Sequence, residues 1–192
     1  MLAAQQLAGA AVAPLFETID RLSEQVKALE KVLKEKVAGD RVVELISTIP
    51  GAGLITATTI RAYLDDIGRF DTAKQLAAYA GLVPWVQNSA DRERHGKITK
   101  HGPNELRTAL VQVVIGMVRV KRRTGTYRIM ERYRRMKSMK GSGRSIIATA
   151  RGLSEIIWHM LTKDEPFDEA RMKNPEIRRK AAEMQAAALD VA

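Results

Sequence analysis

The sequence predicts an all-α fold: an N-terminal coiled-coil helix, then a helical domain containing a helix-hairpin-helix. Three observations carry this. Apolar residues recur at steps of three and four along most of the chain. No stretch alternates apolar and polar residues convincingly enough to read as a strand. Gly39, Pro50, Gly81, Pro84, Pro103 and Gly141 fall at the ends of the periodic stretches, where helices stop or start. A chain of 192 residues suffices for one good core plus an appendage. The expected divisions are 1–39 for the coiled-coil helix, 40–167 for the main domain and 168–192 for a charged helical or frayed tail.

The elements follow in order. In "FETIDRLSEQVKALEKVLKEKV", residues 16–37, Ile19, Leu22, Val26, Leu29 and Leu33 step alternately by three and four. That is a heptad seam flanked by Glu and Lys, on a rod of about 33 Å. It reads either as an intermolecular coiled coil or as a helix packed on its own domain. Val42, Val43, Leu45 and Ile46 then form a short helix that stops at Pro50, and a second helix runs from about Leu54 to Asp66. Between them Gly51 and Gly53 permit the positive φ of a tight turn. This is a helix-hairpin-helix pattern, whose backbone N–H groups are suited to a DNA phosphate; a plain αα-corner is the other reading. Asp71 is the expected N-cap of a small helix carrying Leu76, Ala77 and Ala80. Beyond Pro103, Leu106, Leu110, Val113, Val114, Met117 and Val120 draw a core-facing stripe. "TYRIMERYRRMKSMK" gives a basic helix with Tyr127 and Tyr133 interleaved, fit for a nucleic-acid face or for solvent. The last clear helix places Ile146, Ile147, Leu153, Ile156, Ile157 and Met160 inward, with Trp158 as a core anchor.

Charge narrows the function. The net charge is +10, but it is not spread evenly. Residues 89–151 hold 17 Lys/Arg against four Asp/Glu, while the rest holds 15 against 18. A basic segment inside an otherwise acidic chain points to a polyanion-binding surface. The chain lacks cysteine, which excludes a disulfide frame or Cys-based zinc site, and His95, His101 and His159 lack metalloprotease spacing. No metal site is assigned. "MLAAQQLAGAAVAPL" has no basic leader and is interrupted by Gln5, Gln6 and Pro14, and no run reaches bilayer length. A cytoplasmic, nucleoid-associated protein is expected, with no membrane partner.

The densest chemistry lies in "QNSADRERHGKITKHGPNELR", residues 87–107: one serine, two histidines and five Lys/Arg around Gly96 and Gly102. A lone serine among cations reads first as a phosphate-binding hydroxyl. Arg92, Arg94, Lys97, Lys100 and Arg107 are candidate phosphate contacts, as are Arg122, Arg123, Arg134 and Arg135 further on. His95 or His101 is a candidate proton shuttle, or a simple phosphate contact.

"LISTIPGAGLITATTI", "RFDTAKQLAAYAGLVP", Ser89, "HGKITKHGPNELR" and "ARGLSEIIWHML", in this order, resemble the C-terminal transposase domain of the prokaryotic insertion-sequence family numbered one-ten, relatives of the pilin-gene invertases. The likeness covers about residues 40–167. It implies a DNA transposase or recombinase domain in which Ser89 is the nucleophile of strand cleavage and exchange, in a short loop after "AGLVP". It also implies DNA and a bridge RNA as partners, and homo-oligomers through the coiled coil. Here Ala90 follows Ser89, where the family carries glycine. Family members also have an N-terminal RuvC-like domain with a metal-binding DEDD set, which the 192 residues do not contain. Mg²⁺ is therefore expected only with that domain, and the isolated chain is expected to be inactive. The alternative is a non-catalytic DNA/RNA-binding and dimerisation module.

Overall fold

The computed structural model describes residues 2–89, 92–120 and 124–173; within 2–11, 86–89 and 92–95, and at 97, it describes the backbone alone. The backbone divides into two compact units, residues 1–40 and the chain from Arg41 onward.

The first unit is one helix, α1 (Leu2–Lys36), about 52 Å long at 1.5 Å per residue. It passes through Pro14 without stopping. The periodic stretch therefore extends further N-terminally than the expected start at residue 16. Val12, Leu15, Ile19, Leu22, Val26 and Leu29 continue the alternating three–four spacing, and each is exposed. Gly39, at φ +80°, follows the helix end.

Among the described residues, the second unit is helical apart from one β-hairpin. Its elements are α2 (Arg41–Ser47), α3 (Leu54–Leu64), a 3₁₀ turn (Ile67–Arg69), α4 (Ala73–Tyr79), β1 (Pro84–Ser89), β2 (Arg92–Ile98), α5 (Asn104–Arg119), α6 (Arg128–Lys140), α7 (Ser142–Lys163) and α8 (Glu169–Met172). The all-α expectation holds for the core. The hairpin corrects the reading of residues 84–98 as a strandless loop. Neither "PWVQNS" nor "RERHGKI" alternates apolar with polar residues, so the pattern that marks a half-buried strand is missing.

The core is built on α5 and α7. Leu106, Ala109, Leu110, Val113, Val114 and Met117 of α5 are buried, as are Leu153, Ile157 and Met160 of α7. Val120, expected in the α5 stripe, is the helix C-cap and lies exposed. Ile146, Ile147 and Ile156 are half-buried. Where α7 buries Ser145, Thr149 and Ser154, each hydroxyl donates to a carbonyl three or four residues back, at 2.7 Å. Small, internally satisfied side chains let neighbouring helices come close without leaving polar atoms unpaired. Trp158 is an anchor of a half-buried kind: its Nε1–H donates to the Phe70 carbonyl at 2.9 Å, tying α7 to the end of the 3₁₀ turn.

Three further details differ from expectation. Thr72, not Asp71, caps α4, accepting from the Gln75 amide; Asp71 instead exchanges hydrogen bonds with the Gln75 side chain. Tyr127 and Tyr133 are buried, so α6 shows a basic face without its tyrosines. Tyr127 packs against Phe167 with ring centroids 5.8 Å apart. In the expected tail, Asp168 caps α8, and Lys173 forms an isolated bridge with Tyr127. Residues 174–192 lie outside the described residues.

The α2–α3 turn is a packing device. Gly51 has φ +93° and rests on α5, where a Cβ would lie 2.5 Å from the Met117 nitrogen and 2.7 Å from the Gly116 carbonyl carbon. The approach is reciprocal, since a Cβ on Gly116 would lie 2.5 Å from the Gly51 oxygen. Two glycines back to back bring the turn onto the helix at backbone distance. Gly53 differs: it is exposed, nothing surrounds its Cβ position, and its N–H donates to Thr56 Oγ1 at 2.9 Å.

Candidate nucleic-acid interface

Ser89 is the last residue of β1. The antiparallel register sets it opposite Arg92, with Asn88 opposite Glu93, Gln87 opposite Arg94 and Val86 opposite His95. The serine, two arginines and one candidate histidine thus belong to one short ladder, brought together by register as well as by sequence. Their side chains, with that of Lys97, lie outside the described residues, as does Ala90.

The root of this hairpin is fixed by interlocking backbone. The ladder continues past the named strands through Thr99 N–H to Val83 O at 2.9 Å and Lys100 N–H to Gly81 O at 3.2 Å. Gly81 (φ +66°), Lys100 (φ +55°) and Gly102 (φ +118°) all occupy positive φ. A Cβ on Gly102 would overlap the Tyr79 carbonyl oxygen, and one on Gly81 would lie 2.5 Å from the His101 oxygen. The "AGLVP" and "TKHGP" segments therefore cross where only glycine fits.

Arg107 braces that crossing. Its Nη1 donates to the carbonyls of Ala80 (3.3 Å) and Lys100 (3.4 Å), and its Nη2 to Asn104 Oδ1 at 2.9 Å. One guanidinium ties α4, the hairpin root and α5, a structural use that its basic neighbours do not suggest. Tyr79 is held in turn: Arg69 lies 4.5 Å from its ring centroid and 4.7 Å from that of Phe70. Burial, and then a hydrogen bond to Glu105 of α5, hold the Tyr63 phenol above its ordinary value. Lys100 and His101 are exposed beside this brace.

Sequence reasoning missed Trp85. It is half exposed, at 50%, in the irregular step of the ladder between Pro84 and Val86. The signal was present, since a tryptophan beside a basic segment suits nucleic acid, but without the hairpin nothing separated it from a core residue.

A second basic surface lies between α6 and α7. Arg128, Arg132 and Arg135 line a groove of about 730 Å³ with Arg171, Glu131, Glu155 and Gly152. Their spacing of four and three puts the three α6 arginines on one helix face. No ion pair joins any of these three to another described residue, whereas Arg171 pairs with Glu165 at 2.9 Å and Asp168 at 3.1 Å. Of the residues expected here from sequence, Arg135 lines the groove, while Arg134 donates to the Gly125 carbonyl at 2.6 Å. Arg122 and Arg123 lie outside the described residues. Gly51 and Gly53, expected to offer N–H groups to phosphate, are placed respectively against α5 and at the capped start of α3.

Residues 43–129 match the sequence profile described as Transposase IS116/IS110/IS902 family. That span runs from α2 through the hairpin and its root to the start of α6. The chain is 29% identical over 154 residues to the transposase for insertion sequence element IS1111A of Coxiella burnetii (strain RSA 493 / Nine Mile phase I), an alignment covering 80% of this chain and 42% of that protein. It is 30% identical over 149 residues to the transposase for insertion sequence element IS1328 of Yersinia enterocolitica, covering 77% and 44%. It is 32% identical over 130 residues to the pilin gene-inverting protein of Moraxella lacunata, covering 65% and 38%. The chain thus spans about two fifths of the length of these curated relatives. With Ser89, the locked hairpin root and the helices that hold it all inside the matched span, the chain belongs to the Transposase IS116/IS110/IS902 family.

Proposed function

We propose that this chain is the DNA-binding, serine-bearing portion of a transposase, in which Ser89 attacks a DNA phosphodiester during strand cleavage and exchange. The observation that carries the reading is the register of Ser89 opposite Arg92 at the end of a basic hairpin whose root is locked by glycines and Arg107. A serine hydroxyl is a weak nucleophile and needs a base. As Oγ bonds to phosphorus, its proton passes to that base, the bond to the leaving deoxyribose oxygen breaks, and that oxygen takes up a proton. A phosphoserine ester holds the strand until a second strand's hydroxyl reverses the step. Charge builds on the phosphoryl oxygens, and cations already held near them lower the barrier because they need not reorganise. Arg92, Arg94, Lys97 and Lys100 fit that role, and His95 or His101 that of proton shuttle.

The described residues bring no three His, Asp or Glu side chains together as a divalent-cation site would need. The step is drawn through this chain's own groups, and the Mg²⁺ that the family resemblance implies is assigned to the DEDD acids of the N-terminal domain. Trapping tests the reading: intact transposase is mixed with element-junction DNA, its RNA and Mg²⁺, then denatured. An adduct on the peptide containing Ser89 is the expected result. An adduct on any other residue, or none in a system that recombines, would leave a docking module.

The α6 groove suits the phosphates of the same DNA or of a guide RNA. Replacing Arg128, Arg132 and Arg135 together by Gln is expected to weaken binding and flatten the salt dependence, by about 0.9 in log–log slope for each duplex phosphate that is no longer neutralised. An unchanged slope would remove the groove from the interface. The exposed α1 seam suits self-association, because a stripe of exposed Ile19, Leu22, Val26 and Leu29 is stable in water only when covered. Leu22→Glu with Leu29→Glu is expected to shift the sedimenting species toward monomer. A wild-type chain already monomeric at high concentration would refute this.

A further inference from the structure

We infer that Trp85 is a stacking platform for an unpaired base of the nucleic-acid strand presented to Ser89. The inference deepens the nucleic-acid reading above and rests on its binding part, not on the chemistry of Ser89. The indole lies on a glycine bed: a Cβ at Gly96 would come within 2.9 Å of Trp85 Cε3, 3.4 Å of its carbonyl oxygen and 3.6 Å of its Cβ. Gly96 therefore supports the ring from across the ladder, while half of the Trp85 surface stays exposed. A ring held in place before the ligand arrives gives up little freedom on stacking.

The surroundings select the ligand. A protein-binding tryptophan sits in an apolar patch, but the facing strand "RERHGKI", continued by Thr99 and Lys100, carries Arg92, Arg94, Lys97 and Lys100 against Glu93 alone. Cations beside one supported, exposed aromatic ring make the arrangement that tracks a single strand, phosphates on the charges and bases on the rings. Position matters as well. Trp85, Gln87 and Ser89 occupy alternate positions of β1, so the indole stands about 13 Å along the strand from the serine. A base held there fixes the register of the strand that passes the hydroxyl. The tyrosines of α6, which sequence alone offered as the aromatic partners, are buried and cannot serve.

Intrinsic fluorescence of the chain, titrated with oligothymidylate and separately with oligouridylate, tests this. Trp158, hydrogen-bonded to Phe70, supplies the unresponsive baseline. Saturable quenching is expected in the wild type and not in Trp85→Phe, which should bind within about threefold of wild type because a phenyl ring still stacks. Trp85→Ala is expected to bind about five- to a hundredfold more weakly with an unchanged salt slope, because the substitution removes a stack and leaves every phosphate contact in place. Gly96→Ala, which keeps the indole but lifts it from its bed, should reduce quenching and affinity together. The polymer that quenches at lower concentration identifies the strand, DNA or RNA, that supplies the base. Tight binding of both with no quenching, or undiminished affinity in a folded Trp85→Ala, overturns the platform while leaving the nucleic-acid reading intact. Binding of neither overturns both.

Discussion

Ser89→Ala in the intact transposase is expected to cut recombination by about three orders of magnitude or more while leaving DNA and RNA binding within about twofold. The size follows from the proposed role: without the oxygen there is no phosphoserine ester to hold the strand through the exchange. Binding should survive because the proposed phosphate contacts, the cations of β2 and the α6 groove, do not include the hydroxyl. The backbone should survive too, since the last residue of an antiparallel strand accepts alanine. Recombination frequency between donor and target plasmids, read beside a gel shift at fixed salt, separates the two quantities. Loss of both would mean that the serine is a binding hydroxyl. Undiminished recombination would move the nucleophile out of this chain.

The same hairpin shows what sequence reasoning could reach. Helices whose apolar faces enter the core were legible from spacing: α5 buries the stripe read for it except at Val120, where the helix ends and the next turn carries the residue outward. The hairpin was not legible, because neither "PWVQNS" nor "RERHGKI" alternates apolar with polar residues. It is set from below, by Gly81, Gly102 and Arg107, and a glycine reads the same in sequence whether it bends a loop or admits a neighbouring carbonyl. Arg107 illustrates the same limit for charge. An arginine in a basic run reads as a phosphate contact, and only the fold shows that it also donates to the carbonyls of Ala80 and Lys100. The α6 tyrosines err in the opposite direction, since their basic neighbours concealed that Tyr127 and Tyr133 face inward.

Gly51→Ala is expected to destabilise the second unit by about 3 kcal/mol or more, lowering the melting temperature by about 6–12 °C, whereas Gly53→Ala should stay within about 0.5 kcal/mol. Two costs add at Gly51. Its φ of +93° is one that side chains rarely adopt, and the new Cβ would press on the backbone of α5 at Gly116 and Met117, which cannot move aside as a side chain can. Gly53 has an ordinary φ of −99° and open space around it. Gly116→Ala offers the matching test from the helix side, where alanine's better helix propensity, about 1 kcal/mol, is opposed by contact with the Gly51 carbonyl. Net destabilisation by Gly116→Ala would confirm that the turn and α5 touch at backbone distance. The pair also decides how the helix-hairpin-helix reading can be examined. Loss of DNA binding in Gly51→Ala would report unfolding, so the phosphate-binding role of the turn has to be read from Gly53→Ala at full stability. Weaker binding there at full stability would place a phosphate closer to Gly53 than a methyl group permits, whereas undiminished binding would exclude so close an approach at that residue.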